Sequence, residues 1–262
     1  VGSEMCIRDS GGGGRRFGAR QGDRTTHSQQ RTLAGMTFSP ISLPAPSHIV
    51  TPSAPGRSSV SESADQDRYV GLSTDQPIWE RFFLVAPLVV VGTIEPDGTP
   101  DLAPKHLVGP ESWGNLFGFV CTPSHATYRN VVREEVFTVS YLRPGQIVQA
   151  SLASAPRDTE GDKPSLAAIP TRRAEAVPGV VVEGCAIYLE CRLDRIDDNL
   201  DDNSLVSGRI VAAHVDRDAL RDPDRDDADV LAASPLLAFL SPDHFATVRG
   251  GLHFPFHAGW KR

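Results

Sequence analysis

The 262-residue chain carries 26 Lys and Arg against 33 Asp and Glu, a net charge of −7, and 40% of its residues are hydrophobic. This balance suits a soluble globular fold and excludes nucleic-acid binding driven by phosphate neutralisation. The most apolar stretch, 82–92, falls short of the roughly 18 apolar residues of a membrane span, so no membrane partner is expected.

Residues 1–67 lack apolar periodicity and are rich in Gly, Ser, Pro, Arg and Gln. Such a segment buries too little to offset its ordering entropy and is expected to be disordered. Its first ten residues, VGSEMCIRDS, read as translated sequencing adapter, with Met36 as the expected natural start. The glycines at 11–14 have no strand before them and no apolar helix after, which removes the context a phosphate loop needs. One folded domain is expected over 68–262.

Phe82–Glu95 reads as a strand entered after Pro87, with Val89–Ile94 strongly β-prone. The following EPDGT, Glu95–Thr99, puts Pro where φ is preset and Gly where positive φ is cheap, which predicts a hairpin turn. A return strand is expected through Asp101–Val108. Next come a strand over Leu116–Cys121, a helix over Ser124–Glu135 and a strand over Val136–Leu142. Residues 143–183, punctuated by five prolines (144, 156, 164, 170 and 178), read as irregular around one short helix at Gln146–Ser154. Gly184–Asp197 and Leu205–Val215 form a second strand pair. Residues 217–233 read as an acidic, exposed, helix-like stretch, and Pro235–Leu240 as the last apolar patch. Several strands, two hairpins and little helix predict a mainly antiparallel β domain, closed or partly closed into a barrel.

The linker of the second hairpin, DDNLDDNS, invites a calcium reading. Counted from Asp197, the sixth and twelfth places of an EF-hand loop hold Asp202 and Gly208 instead of Gly and Glu, so a solvated loop is expected. Cys185 and Cys191 fall in one strand-like run and share a face, but six residues of strand span roughly 20 Å, too far for a disulfide. Buried thiols in a reducing, cytoplasmic compartment are expected. His253 and His257 lie four apart with Pro255 between them, which argues against a helical metal site. With Phe254 and Phe256 they either close over a ligand or form an aromatic floor.

The junction after Cys121 is rich in hydroxyls: Thr122, Pro123, Ser124, then His125, Ala126 and Thr127. Ser124 is the expected N-cap, and no carboxylate lies in the first turn. A helix start carries about half a positive charge, so Thr122, Ser124, Thr127 and Arg129 are candidates to hold an anion such as a phosphate. A capped surface helix that binds nothing is the plain alternative.

The chain resembles the flavin reductase-like family in four stretches at family-like order and spacing. These are VVVGTIEPDGTPDLAPKHL (89–107), FGFVCTPSHATYRNV (117–131), FTVSYL (137–142) and SGRIVAAHVD (207–216). The resemblance covers roughly residues 80–255. It implies an antiparallel, Greek-key split β-barrel of the FMN-binding type with a few short helices. It also implies FMN as cofactor, its phosphate at Thr122, Pro123, Ser124, Thr127 and Arg129. The ring would lie against Ala103, Pro104, Lys105, His106 and Leu107, with a further contact near Thr93. The implied activity is hydride transfer from NAD(P)H to flavin N5, which needs no side-chain proton transfer and so no triad or carboxylate pair. The implied partners are flavin, nicotinamide, a second copy of the chain in a homodimer, and a monooxygenase component supplied with reduced flavin.

At Lys105 and His106, where family members commonly carry an aromatic or a small hydroxyl residue, the chain departs from the pattern. As a candidate catalytic pair, Lys105 could meet the flavin O2/N1 edge or a substrate anion, and His106 could hydrogen-bond the ring. Alternation along the strand would instead point one of them to solvent. Two other readings share the resemblance: a split-barrel flavoenzyme acting on a small organic substrate, and a non-catalytic flavin carrier or electron-transfer module.

Overall fold

The computed structural model describes residues 68–257 and 259; the expected disorder of 1–67 lies outside them. Twelve strands occur among the described residues, with three α-helices and two 3₁₀ turns. The strands are β1 (Leu84–Pro87), β2 (Val89–Ile94), β3 (Pro100–Lys105), β4 (Val108–Pro110), β5 (Leu116–Cys121), β6 (Val136–Tyr141), β7 (Thr171–Arg173) and β8 (Val180–Val182). They continue with β9 (Ile187–Leu200), β10 (Asn203–Val215), β11 (Leu236–Ser241) and β12 (His244–Val248). The helices are α1 (Ala126–Glu134), α2 (Ile147–Ala153) and α3 (Asp227–Ala233).

The first expected hairpin forms as its residues dictate. Gly98, at φ 87°, donates its N–H to Glu95 O, and β2 pairs antiparallel with β3 from Val89↔Lys105 to Ile94↔Pro100. Seven strands then share one sheet in the order β3-β2-β6-β9-β10-β5-β4. The two ends of that order, β3 and β4, are separated in the chain only by His106 and Leu107. A sheet whose edge strands are joined by two residues has to curl until those edges meet. Leu107 O accepts from Val120 N of β5 at 2.9 Å and completes the seam. This is the expected mainly β split barrel with a few short helices.

Several boundaries differ from the sequence reading, each for a local reason. The strand expected over Phe82–Glu95 is two strands in two sheets. Pro87 has no N–H to continue a ladder, and Leu88 carries the chain from β1, paired with β11, to β2 in the barrel. The return strand breaks at His106-Leu107, where the seam lies. The helix expected over 217–233 is confined to α3, where Asp226 caps by accepting from Ala228 N at 2.7 Å. The Pro235–Leu240 patch is β11, which joins β1 and β12 in a three-stranded sheet. The irregular 143–183 stretch holds the β7–β8 pair, and the acidic loop of the second hairpin shrinks to Asp201-Asp202 because β9 and β10 pair up to Leu200↔Asn203.

Val89 and Val91 face a cluster with Phe117, Phe119, Phe137, Val139 and Cys191 on one face of the barrel sheet. Val90 faces the other cluster, with Leu102, Leu142, Ala150, Leu237 and Phe239. A strand buried on both faces explains the unbroken VVV run. Cys185 and Cys191, expected to share a face, are split between these clusters, because Cys185 precedes β9 and leaves its alternation. Cys121, Cys185 and Cys191 are all buried free thiols, and burial, with the nearby Glu190, pushes the Cys191 thiol up to about 12. Glu190 is itself fully buried and accepts backbone N–H bonds from Glu175, Ala176 and Val177, which pins the 174–179 loop to β9.

Candidate flavin site at the start of α1

The junction after β5 is a β-turn. Pro123 sits where a fixed φ suits it, and His125 N donates to Thr122 O at 3.0 Å. That turn takes in Ser124, so α1 begins one residue later than the sequence predicts. His125, not Ser124, occupies the N-cap position, and no side chain caps the helix. Ser124 is exposed, with its hydroxyl outside the cap.

The electrostatics of this corner are one-sided. No acidic residue lies in the first turn of α1, and the Arg129 guanidinium folds back to donate to Ser124 O. A cation at a helix N-terminus opposes the helix dipole by about 0.3–1 kcal/mol, so the arrangement favours an anion there. Thr127 is fully buried, and its Oγ1 has no hydrogen-bond partner. An orphaned buried hydroxyl typically costs about 1–3 kcal/mol. An uncapped helix start, an arginine folded over it and an unpaired hydroxyl fit a phosphate.

The second expected segment comes to the same end of the barrel. Leu107 is bonded to Val120, two residues before Thr122, and α1 packs across β2 and β3. Asn130 Nδ2 donates to Thr93 Oγ1 at 3.1 Å, and Arg133 reaches Ile94 O. Thus the segments 103–107 and 122–129, read separately in the sequence, adjoin.

Within them the residues divide. Leu107 (51% exposed), Pro123, Ser124 and Arg129 are at the surface, and Thr122 and His106 are half-buried. Thr93, Ala103, Pro104, Lys105 and Thr127 are buried. Lys105 stands opposite Val89 and so shares the barrel-cluster face. His106 turns the other way and packs on Phe239, ring centroids 4.7 Å apart. Burial, and secondarily the charge of Lys105, holds the imidazole below its usual pKa. Neither residue points into open solvent, because the three-stranded sheet covers the side where alternation would have exposed one of them.

Four participants escaped the sequence reading. Thr122 Oγ1 donates to Asn203 Oδ1 at 2.9 Å. Tyr128 OH and Ser204 Oγ both donate to Asp198 Oδ1, at 2.9 and 2.6 Å, and that bond raises the Tyr128 pKa. The β9–β10 tip therefore flanks α1, at 70–81 residues' separation, and no local signal announces this. Phe254 and Phe256 form no packed floor; their rings meet at a tilt, centroids 4.6 Å apart, and stay 70% and 48% exposed.

A cleft of about 810 Å³ lies at the opposite end of β3, between the Glu95–Thr99 turn and residues 157–171. Its charges satisfy one another. Arg157 bridges Glu95 and Asp101 at 2.6 and 2.8 Å, and Lys163 Nζ donates to Leu102 O and Ala153 O, both at 3.0 Å. That network fastens a loop to the edge of β3, and it takes in none of residues 103–107 or 122–129.

The sequence matches the family described as "Flavin reductase like domain" over residues 81–239, more than half of the chain. The chain belongs to the flavin reductase-like family. No curated protein matches by sequence. Among solved structures, the flavin reductase-like chain is similar to flavoredoxin of Desulfovibrio vulgaris (Miyazaki F), at 20% identity and TM-score 0.59, over 73% of this chain and all of that one. It is also similar to Pseudomonas fluorescens 2-nitrobenzoate 2-nitroreductase (15%, TM-score 0.61, 78% of this chain and 99% of that one). Bacillus cereus nitrilotriacetate monooxygenase component B gives 18%, TM-score 0.60, and 72% and 98% coverage. These likenesses show the fold. As a member of the family the chain is a flavin-linked redox protein, and no helix among the described residues is long and apolar enough to cross a membrane.

Proposed function

We propose that the chain is an FMN-dependent NAD(P)H oxidoreductase, with the FMN phosphate at the start of α1 and the ring against the 103–107 segment. The observation that carries this is the α1 start: uncapped, free of acid, covered by Arg129 and holding the unpaired Thr127 hydroxyl. Bound flavin supplies the redox chemistry by accepting hydride at N5. The chain's part is to bind and orient. The first-turn amides of α1 and Arg129 hold the phosphate, Ser124 and Thr122 flank it, and Leu107 offers an exposed apolar surface. Lys105 provides fixed positive charge at the ring end, where reduction leaves negative charge.

The chain is further proposed to be a cytoplasmic homodimer that passes reduced flavin to a separate monooxygenase. Its buried free thiols suit a reducing compartment. Val85 and Leu236, 75% and 49% exposed on the three-stranded sheet, suit burial against a second copy. The relative named as a monooxygenase component supports the last point. The nitroreductase relative favours a second reading, in which a small organic substrate takes the electrons.

Anaerobic titration tests the proposal, on protein whose mass in solution is measured first; a monomer that binds flavin removes the dimer. Protein loaded with FMN should be yellow and bleach on adding NADH or NADPH. If both leave it oxidised, the reductase reading falls and a carrier or substrate-specific enzyme replaces it. Ser124→Ala with Thr127→Ala should weaken FMN about tenfold or more and riboflavin little, since hydrogen bonds to charged groups contribute about 1.5–3 kcal/mol. Equal losses for the two ligands would show that the phosphate lies elsewhere.

A further inference from the structure

Thr122 presents a difficulty for any anion at this corner. A threonine hydroxyl has one proton, and here it goes to Asn203 Oδ1 at 2.9 Å. In that state Thr122 offers only lone pairs, which repel phosphate oxygens. The partner, however, is an amide and not a carboxylate. With its amide turned over, Asn203 presents Nδ2 to Thr122, the hydroxyl accepts, and its proton is released toward the ligand. Asn203 is half-buried at the first position of β10, and its neighbour Ser204 is tied through Asp198 to Tyr128 in the first turn of α1. The tip therefore grips the turn both before and within the helix start, and holds Asn203 in place.

We infer that Asn203 is a positioning residue of the phosphate site: its amide orientation decides whether Thr122 can donate to a bound phosphate. The inference rests on the FMN reading above. It assigns to the β9–β10 hairpin a part in ligand selection, and it rules out a carboxylate at position 203. A carboxylate at 203 could only accept, and would fix the Thr122 proton away from the ligand. A methyl group there would leave the proton free.

The test is the ratio of the riboflavin to the FMN dissociation constant, read by flavin fluorescence on the full-length chain, with thermal midpoints recorded for each variant. Asn203→Asp should lower the ratio about tenfold, and Asn203→Ala by less than about threefold, the loss of one hydrogen bond to a charged group being of the larger size. Added charge alone could mimic the Asp result, so the same change is made in a Thr122→Val background. An effect acting through the hydroxyl shrinks there, whereas a pure charge effect persists unchanged. A persisting effect, or an Ala variant as damaged as the Asp variant, overturns the role of Asn203. A parent protein that binds riboflavin and FMN equally overturns the phosphate placement itself, and one that binds neither overturns the flavin reading. Inorganic phosphate added as competitor should weaken FMN binding to the parent and leave riboflavin unaffected.

Discussion

Lys105 and His106 are adjacent, yet one faces the barrel cluster and the other a phenylalanine of a different sheet. Their opposition follows from strand alternation; the covering of His106 does not, because the residue that covers it is 133 positions away in the sequence. The environment of the imidazole makes a pH prediction. Burial first, and Lys105 second, lower its folded pKa below the ordinary 6.5. Between the folded value and 6.5 the unfolded chain therefore binds more protons than the folded one, so stability rises with pH across that window. The contribution is complete above about pH 6.5, the unfolded value, and declines as pH falls below it. Urea unfolding from pH 5 to 7.5 should show this slope in the parent and a shallower one in His106→Phe, which keeps a ring against Phe239. Parallel profiles would mean that another group titrates. At this scale the residues singled out in the sequence, 103–107 and 122–129, adjoin in the fold. The sequence reading went wrong over Ser124, where Pro123 draws the serine into a turn and moves the cap to His125.

Among the elements, the two hairpins were legible because their signals are local: a Pro-Asp-Gly turn for β2–β3, and alternating apolar residues on both arms of β9–β10. What the tip of the second hairpin touches was not legible. Asp198, Asn203 and Ser204 look like solvated polar residues in the sequence and become neighbours of α1 only once the barrel closes. Closure also explains a glycine in β10. The register shifts between Ser207 and Gly208, and a Cβ at Gly208 would stand 2.5 Å from the Phe137 ring in the barrel cluster. That ring is fully buried and packs on Phe119 at 5.1 Å, so it has little room to retreat. Gly208→Ala should then destabilise by about 1–3 kcal/mol, in the range of overpacked cores. Equilibrium unfolding in urea would show a lower midpoint with unchanged slope. A neutral substitution would mean that β10 can move away from β6 at no cost.

At the scale of the whole molecule, two sheets that the sequence ran together are held side by side. The 82–95 stretch reads as one strand because its apolar character never lapses, yet β1 and β2 belong to different sheets, and only the pairing of β1 with β11 reveals the division. Phe239 of β11 joins the halves. It is 4% exposed, belongs to the cluster that includes Val90 and Leu102 of the barrel, and carries His106 against its ring. Phe239→Ala should cost about 3–5 kcal/mol, as buried phenylalanines generally do. The same change opens the cover over His106, so the imidazole pKa should climb back toward its ordinary value. An NMR titration of the ring protons reads that second effect independently of stability. If the small sheet merely rests on the barrel, stability falls little and His106 titrates as before. If it is an integral wall, both readings move together, and the acid-side loss of stability in the parent becomes smaller in the variant. The closed barrel would then need its outer sheet to hold residues 105–107 in shape, so a change more than a hundred positions away in the chain would loosen the segment proposed to carry the flavin ring.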